Sequence, residues 1–243
     1  MENILRINNL TVSYPAGLGK RKAAVDSLSL DIERNEIFGL IGPNGAGKTT
    51  LIKAVIGLIP LQTGEISLFG NCPPRLADNA RIGFLPEISA YHWFLTPEEL
   101  LKMYGRLCLM DPRELTKRID YVLELAGLAA EKKHLIKTFS KGMQQRLGLA
   151  QALLHNPEFL ILDEPFSGLD PLGRVQVREI LQGLKKENKT ILLSSHELSE
   201  AELVCDHLCV MKSGRALKTG PIKELLGGKG VLTLEQYFLE VIK

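Results

Sequence analysis

The sequence predicts an α/β fold with three parts: a core built on a parallel sheet, an antiparallel β layer near the N-terminus, and an α-helical subdomain inserted into the core. Three observations predict it. Short apolar runs rich in β-branched residues, "EIFGLIG" (36–42), "RIGFLP" (81–86), "EFLILDE" (158–164), "TILLSSH" (190–196) and "HLCVMKSG" (207–214), are nearly continuous rather than alternating. That pattern marks strands covered on both faces. Other runs, "NILRI", "DSLSLDI" and "GEISLFG", alternate and sit beside turn residues, which suits an antiparallel sheet with one wet face. Between 96 and 155 the signals are helical, and strands resume only at 158, so a helical block interrupts the α/β order.

The 243 residues suit a single domain, with core segments 1–86 and 151–223, a helical subdomain 87–150 and a short tail 224–243. Hydrophobic residues at 45% and charged residues at 24% are ordinary for a soluble globular chain. A net charge of +2, from 30 basic and 28 acidic residues, leaves no electrostatic footprint for nucleic acid. No run reaches the ~18 apolar residues of a membrane span. The start "MENILRINNL" lacks the pattern of a secretion signal, so the expected location is the cytoplasm. Cys205 and Cys209 would share a helical face beside Asp206 and His207. We read all four cysteines as reduced thiols, those two packed near a core rather than binding a metal.

Along the chain, "GLGKRK" (17–22) carries glycines and a lysine without the length or the Ser/Thr of a phosphate loop, and reads as a solvated, mobile loop. "GPNGAGKTT" (42–50) is different. It fits G-x-x-x-x-G-K-[ST] at Gly42, Gly47, Lys48 and Thr49, and it joins the strand "EIFGLI" to the helical pattern "LIKAVIGL", the context this motif requires. Its backbone from Pro43, Asn44, Gly45 and Ala46 to Thr50 can turn N–H groups inward around phosphates. Lys48 neutralises the β and γ phosphates, and the Thr49 hydroxyl coordinates Mg²⁺. The core is therefore expected to be that of a P-loop NTPase. Helices are signalled next by Thr96-Pro97-Glu98-Glu99, a capping box with a first-turn proline, then by Asp111-Pro112-Arg113-Glu114 and by Asp170-Pro171.

"FLILDEP" (159–165) puts two carboxylates at a strand end. Asp163 would hold Mg²⁺ directly or through water. Glu164, pointing another way along the strand, is the candidate for polarising the attacking water. "LLSSHELSE" (192–200) ends a further strand in Ser195 and His196, and a histidine there can hydrogen-bond the γ-phosphate or the water. Strand ends of a parallel sheet converge on one ligand.

"TFSKGMQQRLG" (138–148) poses a separate problem. Ser140 caps a helix, yet Gly142 occupies its first turn, where alanine would be cheaper. A serine and a bare backbone at a helix start suit an anion, although the phosphate loop lies about a hundred residues earlier.

With these motifs in the order "GPNGAGKT", "FSKGMQ", "LILDE", "SSH", the chain resembles the nucleotide-binding subunit of an ATP-binding-cassette (ABC) transporter from about residue 3 to about 223. The resemblance implies ATP and Mg²⁺ as cofactors and ATP hydrolysis as the activity. It implies that Ser140 and the backbone around Gly142 close over the ATP of an opposite subunit, in a homodimer or heterodimer. Lys141 stands where the family has a second glycine, and Gln144 fits the final position. "SGLD" (167–170), ending in Asp170, resembles the loop that crosses to the second subunit, and Tyr14 matches the aromatic that stacks on adenine. Glu87 replaces the usual glutamine that touches Mg²⁺ and water, and would still coordinate the metal. In "ISAYHWFLT" (88–96), Tyr91 and Trp93 are expected to line the socket for an integral membrane permease, holding the chain on the inner face of the cell membrane. The style of "LPE" and "SKGMQQRLGLAQALLHNP" is similar to bacterial subunits powering small exporters of drugs, ions or lipids. A soluble ABC ATPase and a non-hydrolysing regulator are the competing classes; Glu164 and His196 argue against the second. The tail starts with a helix, breaks at Gly227-Gly228 and ends in a second amphipathic piece.

Overall fold

The computed structural model describes residues 2–15, 17, 21–227 and 233–243. In chain order the elements are β1 (Asn3–Pro15), β2 (Arg21–Glu33), β3 (Ile37–Ile41), α1 (Lys48–Val55), β4 (Thr63–Leu68), α2 (Leu76–Asn79), β5 (Ile82–Leu85), α3 (Pro97–Leu107), α4 (Pro112–Leu125), a 3₁₀ turn (Ile136–Thr138), α5 (Lys141–Leu153), β6 (Phe159–Asp163), α6 (Pro171–Lys186), β7 (Thr190–Ser195), α7 (Leu198–Val204), β8 (His207–Lys212), β9 (Arg215–Pro221), α8 (Ile222–Leu225) and α9 (Leu234–Ile242).

The continuous apolar runs form a sheet of order β5-β6-β7-β3-β8-β9, parallel except for β9. Every residue of β3, β6 and β7 is buried, as two-sided cover demands. Alternate residues face different layers. Ile37, Ile41, Leu160, Leu162, Ile191 and Leu193 pack with the helices α3 to α6. Phe38, Leu40, Phe159, Ile161 and Leu192 pack with α1 and the antiparallel sheet β2-β1-β4. The three expected parts are therefore layers on a shared core.

β1 and β2 run well beyond the alternating stretches "NILRI" and "DSLSLDI". Their register shifts around Asn9 and Ser27, both in the left-handed region, and such bulges break a period of two without ending the pairing. β9 has no counterpart among the sequence expectations. It is a largely exposed antiparallel edge, "RALKTGP", and an edge strand needs no apolar run.

The helical block holds α3, α4, the 3₁₀ turn and α5. Thr96 and Glu99 cap each other's orphan amides at α3, Asp111 accepts from Arg113 and Glu114 at α4, and Ser140 Oγ accepts from the Met143 amide at α5. α5 passes the expected boundary at 150 and ends at Leu153, packed under β5.

Cys205 and Cys209 do not share a helical face. α7 stops at Val204, Cys205 caps it, and Cys209 lies in β8. Both are buried free thiols, and burial pushes the Cys209 thiol up to about 11. Among the described residues no group of three or more His, Cys, Asp or Glu could hold a metal ion. Of "GLGKRK", positions 18–20 lie outside the described residues, while Arg21 and Lys22 open β2 rather than a loop. In the tail, α8 leads to Gly227 in the left-handed region, Gly228 lies outside the described residues, and α9 follows. The Leu234 amide donates to Glu202 at 2.8 Å, tying α9 to α7.

Candidate nucleotide site

The C-terminal ends of β3, β6, β7 and β8 all stop at one edge of the parallel sheet. A cavity of about 700 Å³ opens there, lined by residues 43–50, Glu87, Glu164, Ser213 and Gly214, and closed on one side by Tyr14, Pro15 and Lys22–Ala24 of the first hairpin. This is where open parallel sheets bind ligands.

The phosphate loop is held by close backbone contacts. Gly47 has φ +105°, and a Cβ there would lie 2.3 Å from the Ala24 carbonyl oxygen. At Gly42 a Cβ would lie 2.4 Å from the carbonyl oxygen of Met211. The loop is fastened to β2 and to the turn after β8, where the Gly214 amide donates to the Ala46 carbonyl at 2.9 Å. Only glycine fits both positions, and the loop between them leads into the N-terminus of α1. Lys48 is buried. Its Nζ donates to the Gly42 carbonyl at 2.7 Å and lies 3.5 Å from Glu164 Oε1.

Opposite the loop stand the acids. Asp163 ends β6 and is only 2% exposed, and Glu164 follows at 6%. Thr49 Oγ1 donates to Asp163 Oδ1 at 3.3 Å, and Ser194 Oγ donates to the same oxygen at 2.5 Å. Glu164 Oε2 meets His196 Nδ1 at 2.7 Å and accepts from the His196 amide at 3.2 Å. Two buried carboxylates face one buried ammonium, an imbalance that a bound cation relieves. The Thr49 hydroxyl and Asp163 carboxylate are hard oxygen ligands side by side, as Mg²⁺ requires. The residues therefore fit a magnesium–triphosphate: the glycine loop and Lys48 for phosphate, Thr49 and Asp163 for the metal. Glu87 is exposed and lines the same cavity.

Ser140, Gly142 and Asp170 are elsewhere. They line a second cavity of about 480 Å³, with Lys141, Met143 and Arg146 among its walls, and this cavity has no residue in common with the first. Gly142 has room there: a Cβ would meet Leu169 Cδ2 at 3.4 Å and nothing closer. Gln144 does not join it. Its amide turns back to the Phe139 carbonyl at 3.2 Å, and Met143 takes the cavity-facing place. Gln144 lies one turn past the Ser140 cap, and its side-chain amide is taken up by a carbonyl just before the helix instead of facing the cavity.

The aromatic stretch also divides. Trp93 is 72% exposed and Phe94 68%, with Ile88 exposed nearby in the chain. Tyr91 instead packs inward. Its hydroxyl donates to the Gln144 carbonyl at 3.2 Å, and burial pushes the phenol up to about 12. Gly148 leaves the space for it, since a Cβ there would lie 2.6 Å from the Tyr91 oxygen. Tyr91 therefore packs into the helical subdomain, where it also lines a small cavity of about 190 Å³ with Ser89, Tyr104 and Gly148, apart from the exposed Trp93.

The sequence reading missed several cavity residues, namely Lys22, Ala24, Ser213 and Gly214. Their contribution is largely backbone position, which leaves no pattern in residue type. It also missed Ser194, although the motif "SSH" contains it.

Comparison with known proteins agrees with this geometry. The family model for "ABC transporter" matches residues 25–167. An uncharacterized ABC transporter ATP-binding protein of Synechocystis sp., sll0415, is 41% identical over 229 residues, covering 93% of this chain and 65% of the relative. Nod factor export ATP-binding protein I of Neorhizobium galegae is 42% identical over 212 residues, covering 85% of this chain and 61% of the relative. The chain thus spans just under two thirds of the length of either relative. A solved structure described as the ATP binding subunit of an ABC transporter superposes with a TM-score of 0.86 at 31% identity, over 99% of this chain and 100% of that one. With a phosphate loop, an acid-ended strand and a serine-capped α5 in these places, the chain belongs to the ABC transporter family, as one of its ATP-binding cassettes.

Proposed function

We propose that the protein hydrolyses Mg-ATP between two cassettes and so drives an integral membrane permease. One observation carries the reading: Ser140 and Gly142 line a cavity that shares no wall with the phosphate-loop cavity. A phosphate-binding helix start that does not face its own loop is half of a site, completed by a second cassette. Each ATP would lie between the glycine loop of one chain and the capped α5 of the other, with Asp170 at the same face. The dipole and amides of α5 would grip the γ-phosphate.

In each site Lys48 binds the β and γ phosphates, and Tyr14 offers its half-exposed ring to the adenine. Thr49 and Asp163 hold magnesium, joined by Glu87, and the metal supplies charge neutralisation on the phosphates. Glu164 orients the attacking water and takes its proton, while His196 fixes the Glu164 carboxylate and is the candidate hydrogen-bond partner of the γ-phosphate. Loss of the γ-phosphate removes the contacts that join the cassettes, a switch of order by ligand.

Residues 1–243 act as one cassette, with 87–150 as its helical part. Among the described residues no helix is long and apolar enough to cross a membrane. We assign the membrane part to a permease, with the cassette on its inner face. Trp93, with Phe94 and Ile88, is the contact we assign to it, since exposed aromatics favour interface anchoring. Export is the direction we propose, in line with the relative named for Nod factor export. The test is ATPase activity of the purified protein against its Glu164→Gln variant. Hydrolysis lost in the variant supports the enzyme. Equal rates in both, or none in the wild type with its permease present, would leave a regulator that only binds nucleotide.

A further inference from the structure

Glu164 carries an unusual backbone. Its φ is +55°, in the left-handed region, which is strained for an L-residue with a long side chain. Such strain persists only where neighbours over-determine it. Here both flanking peptide groups are held. The Glu164 amide donates to Ser194 Oγ at 2.9 Å. The Glu164 carbonyl accepts from the Ser167 amide at 3.0 Å and from Gln145 Nε2 at 3.2 Å. Ser167 is in the loop that follows Glu164, so it moves with it. Gln145 is on α5, nineteen residues away in sequence, and it is only 7% exposed.

We infer that Gln145 is a positioning residue that locks the general base to α5 of its own chain. α5 begins at the Ser140 cap, the end that would reach across to the other chain's ATP. One and a half turns later, the same helix donates through Gln145 to the carbonyl of Glu164. Its preceding residue, Gln144, accepts from Tyr91 of the loop that begins with Glu87. The helix is thus tied at consecutive residues to both loops of its own nucleotide site. A displacement of α5 as it seats on the partner's γ-phosphate pulls on the Glu164 peptide, and so on the carboxylate that His196 and Lys48 hold. Each chain would then set its own base for hydrolysis only when its α5 is seated on the other ATP. The donor is required for this, whereas filling the space is not.

This inference rests on the proposed hydrolysis between two cassettes, and the experiment separates the two. Steady-state ATPase kinetics and thermal melting are measured for wild type, Glu164→Gln, Gln145→Met and Gln145→Asn. Methionine keeps the length and apolar volume without the donor; asparagine keeps an amide that falls short. Gln145→Met is expected to lower kcat at least tenfold with KM for ATP within threefold and the melting temperature within a few degrees, and Gln145→Asn to retain more activity than Gln145→Met. A Gln145→Met kcat within twofold of wild type overturns the inference while leaving the enzyme reading intact. So does a loss that appears in KM, or the failure of both variants to fold, either of which would make Gln145 a packing residue. A wild type no faster than Glu164→Gln sinks the enzyme reading itself.

Discussion

Gly142→Ala separates what α5 needs for its own fold from what it offers to a second chain. In the isolated chain the new methyl is harmless, since its nearest neighbour would be Leu169 Cδ2 at 3.4 Å and the next Ser140 Oγ at 3.9 Å. Alanine in place of glycine inside a helix gains up to ~1 kcal/mol. For a chain of this size that raises Tm by roughly 1–4 °C. Against the partner's γ-phosphate the same methyl stands on the approach to the backbone amides. Losing one such preorganised donor costs about 3–4 kcal/mol, or 10² to 10³ in kcat. The prediction is a protein as stable as wild type or slightly more so, with ATPase reduced at least a hundredfold by that reasoning. A phosphate-release assay and a thermal melt on one preparation read both quantities. ATPase within threefold of wild type would refute closure in trans by α5. A Tm lowered by several degrees would refute the claim that the glycine serves something outside its own chain.

Other expected outcomes follow from the same geometry. Glu87→Gln should keep at least half of wild-type ATPase, because Glu87 is exposed where it lines the cavity, glutamine keeps an oxygen there, and Thr49 with Asp163 are the metal ligands we propose; near-total loss would show that the acid itself is needed. Trp93→Ala should leave the ATPase and Tm of the purified protein unchanged, since the ring is 72% exposed, yet uncouple transport in vesicles containing the permease; a fall in Tm would put the ring in the core. Glu158→Gln tests a surface pair. Arg81 grips Glu158 with two bonds, at 2.7 and 2.8 Å, and holds its carboxyl below the usual range. A depressed carboxylate stabilises the fold above its unfolded pKa and loses that contribution as pH falls through the folded one. With solvent screening the variant should lose about 0.5–1 kcal/mol at neutral pH, and the gap should close in the acid range; a gap independent of pH would deny the ion pair its role.

How far residue types reveal a site depends on what the site uses. Lys48, Thr49, Asp163, Glu164 and His196 would act through side chains on a strand end or helix start, and motif and context single them out in the sequence. The structure adds their mutual contacts, such as Glu164 to His196 at 2.7 Å. Ala24, Ser213 and Gly214 help shape the cavity through backbone placement, so nothing in the alternation of β2 or the end of β8 announced them. Gln144 and Gln145 look interchangeable in sequence. Helix rotation sends one to the Phe139 carbonyl and the other to Glu164, and neither reaches the cavity at Ser140. Tyr91 and Trp93 look alike as a pair of aromatics, but only Tyr91 has the gap at Gly148 to enter. The parallel strands were legible because burial on both faces demands unbroken apolar runs. The bulged hairpin and the polar edge strand β9 lacked that demand.

The sandwich of ATP between two cassettes is tested most directly by the mass of Glu164→Gln in solution, measured by light scattering with and without Mg-ATP. The variant is expected to bind nucleotide without consuming it, and so to double its mass on adding Mg-ATP, alone or with a second cassette, and to return to monomer when Gly142→Ala is added. A particle that stays monomeric with Mg-ATP, both by itself and mixed with each candidate second cassette, contradicts the sandwich.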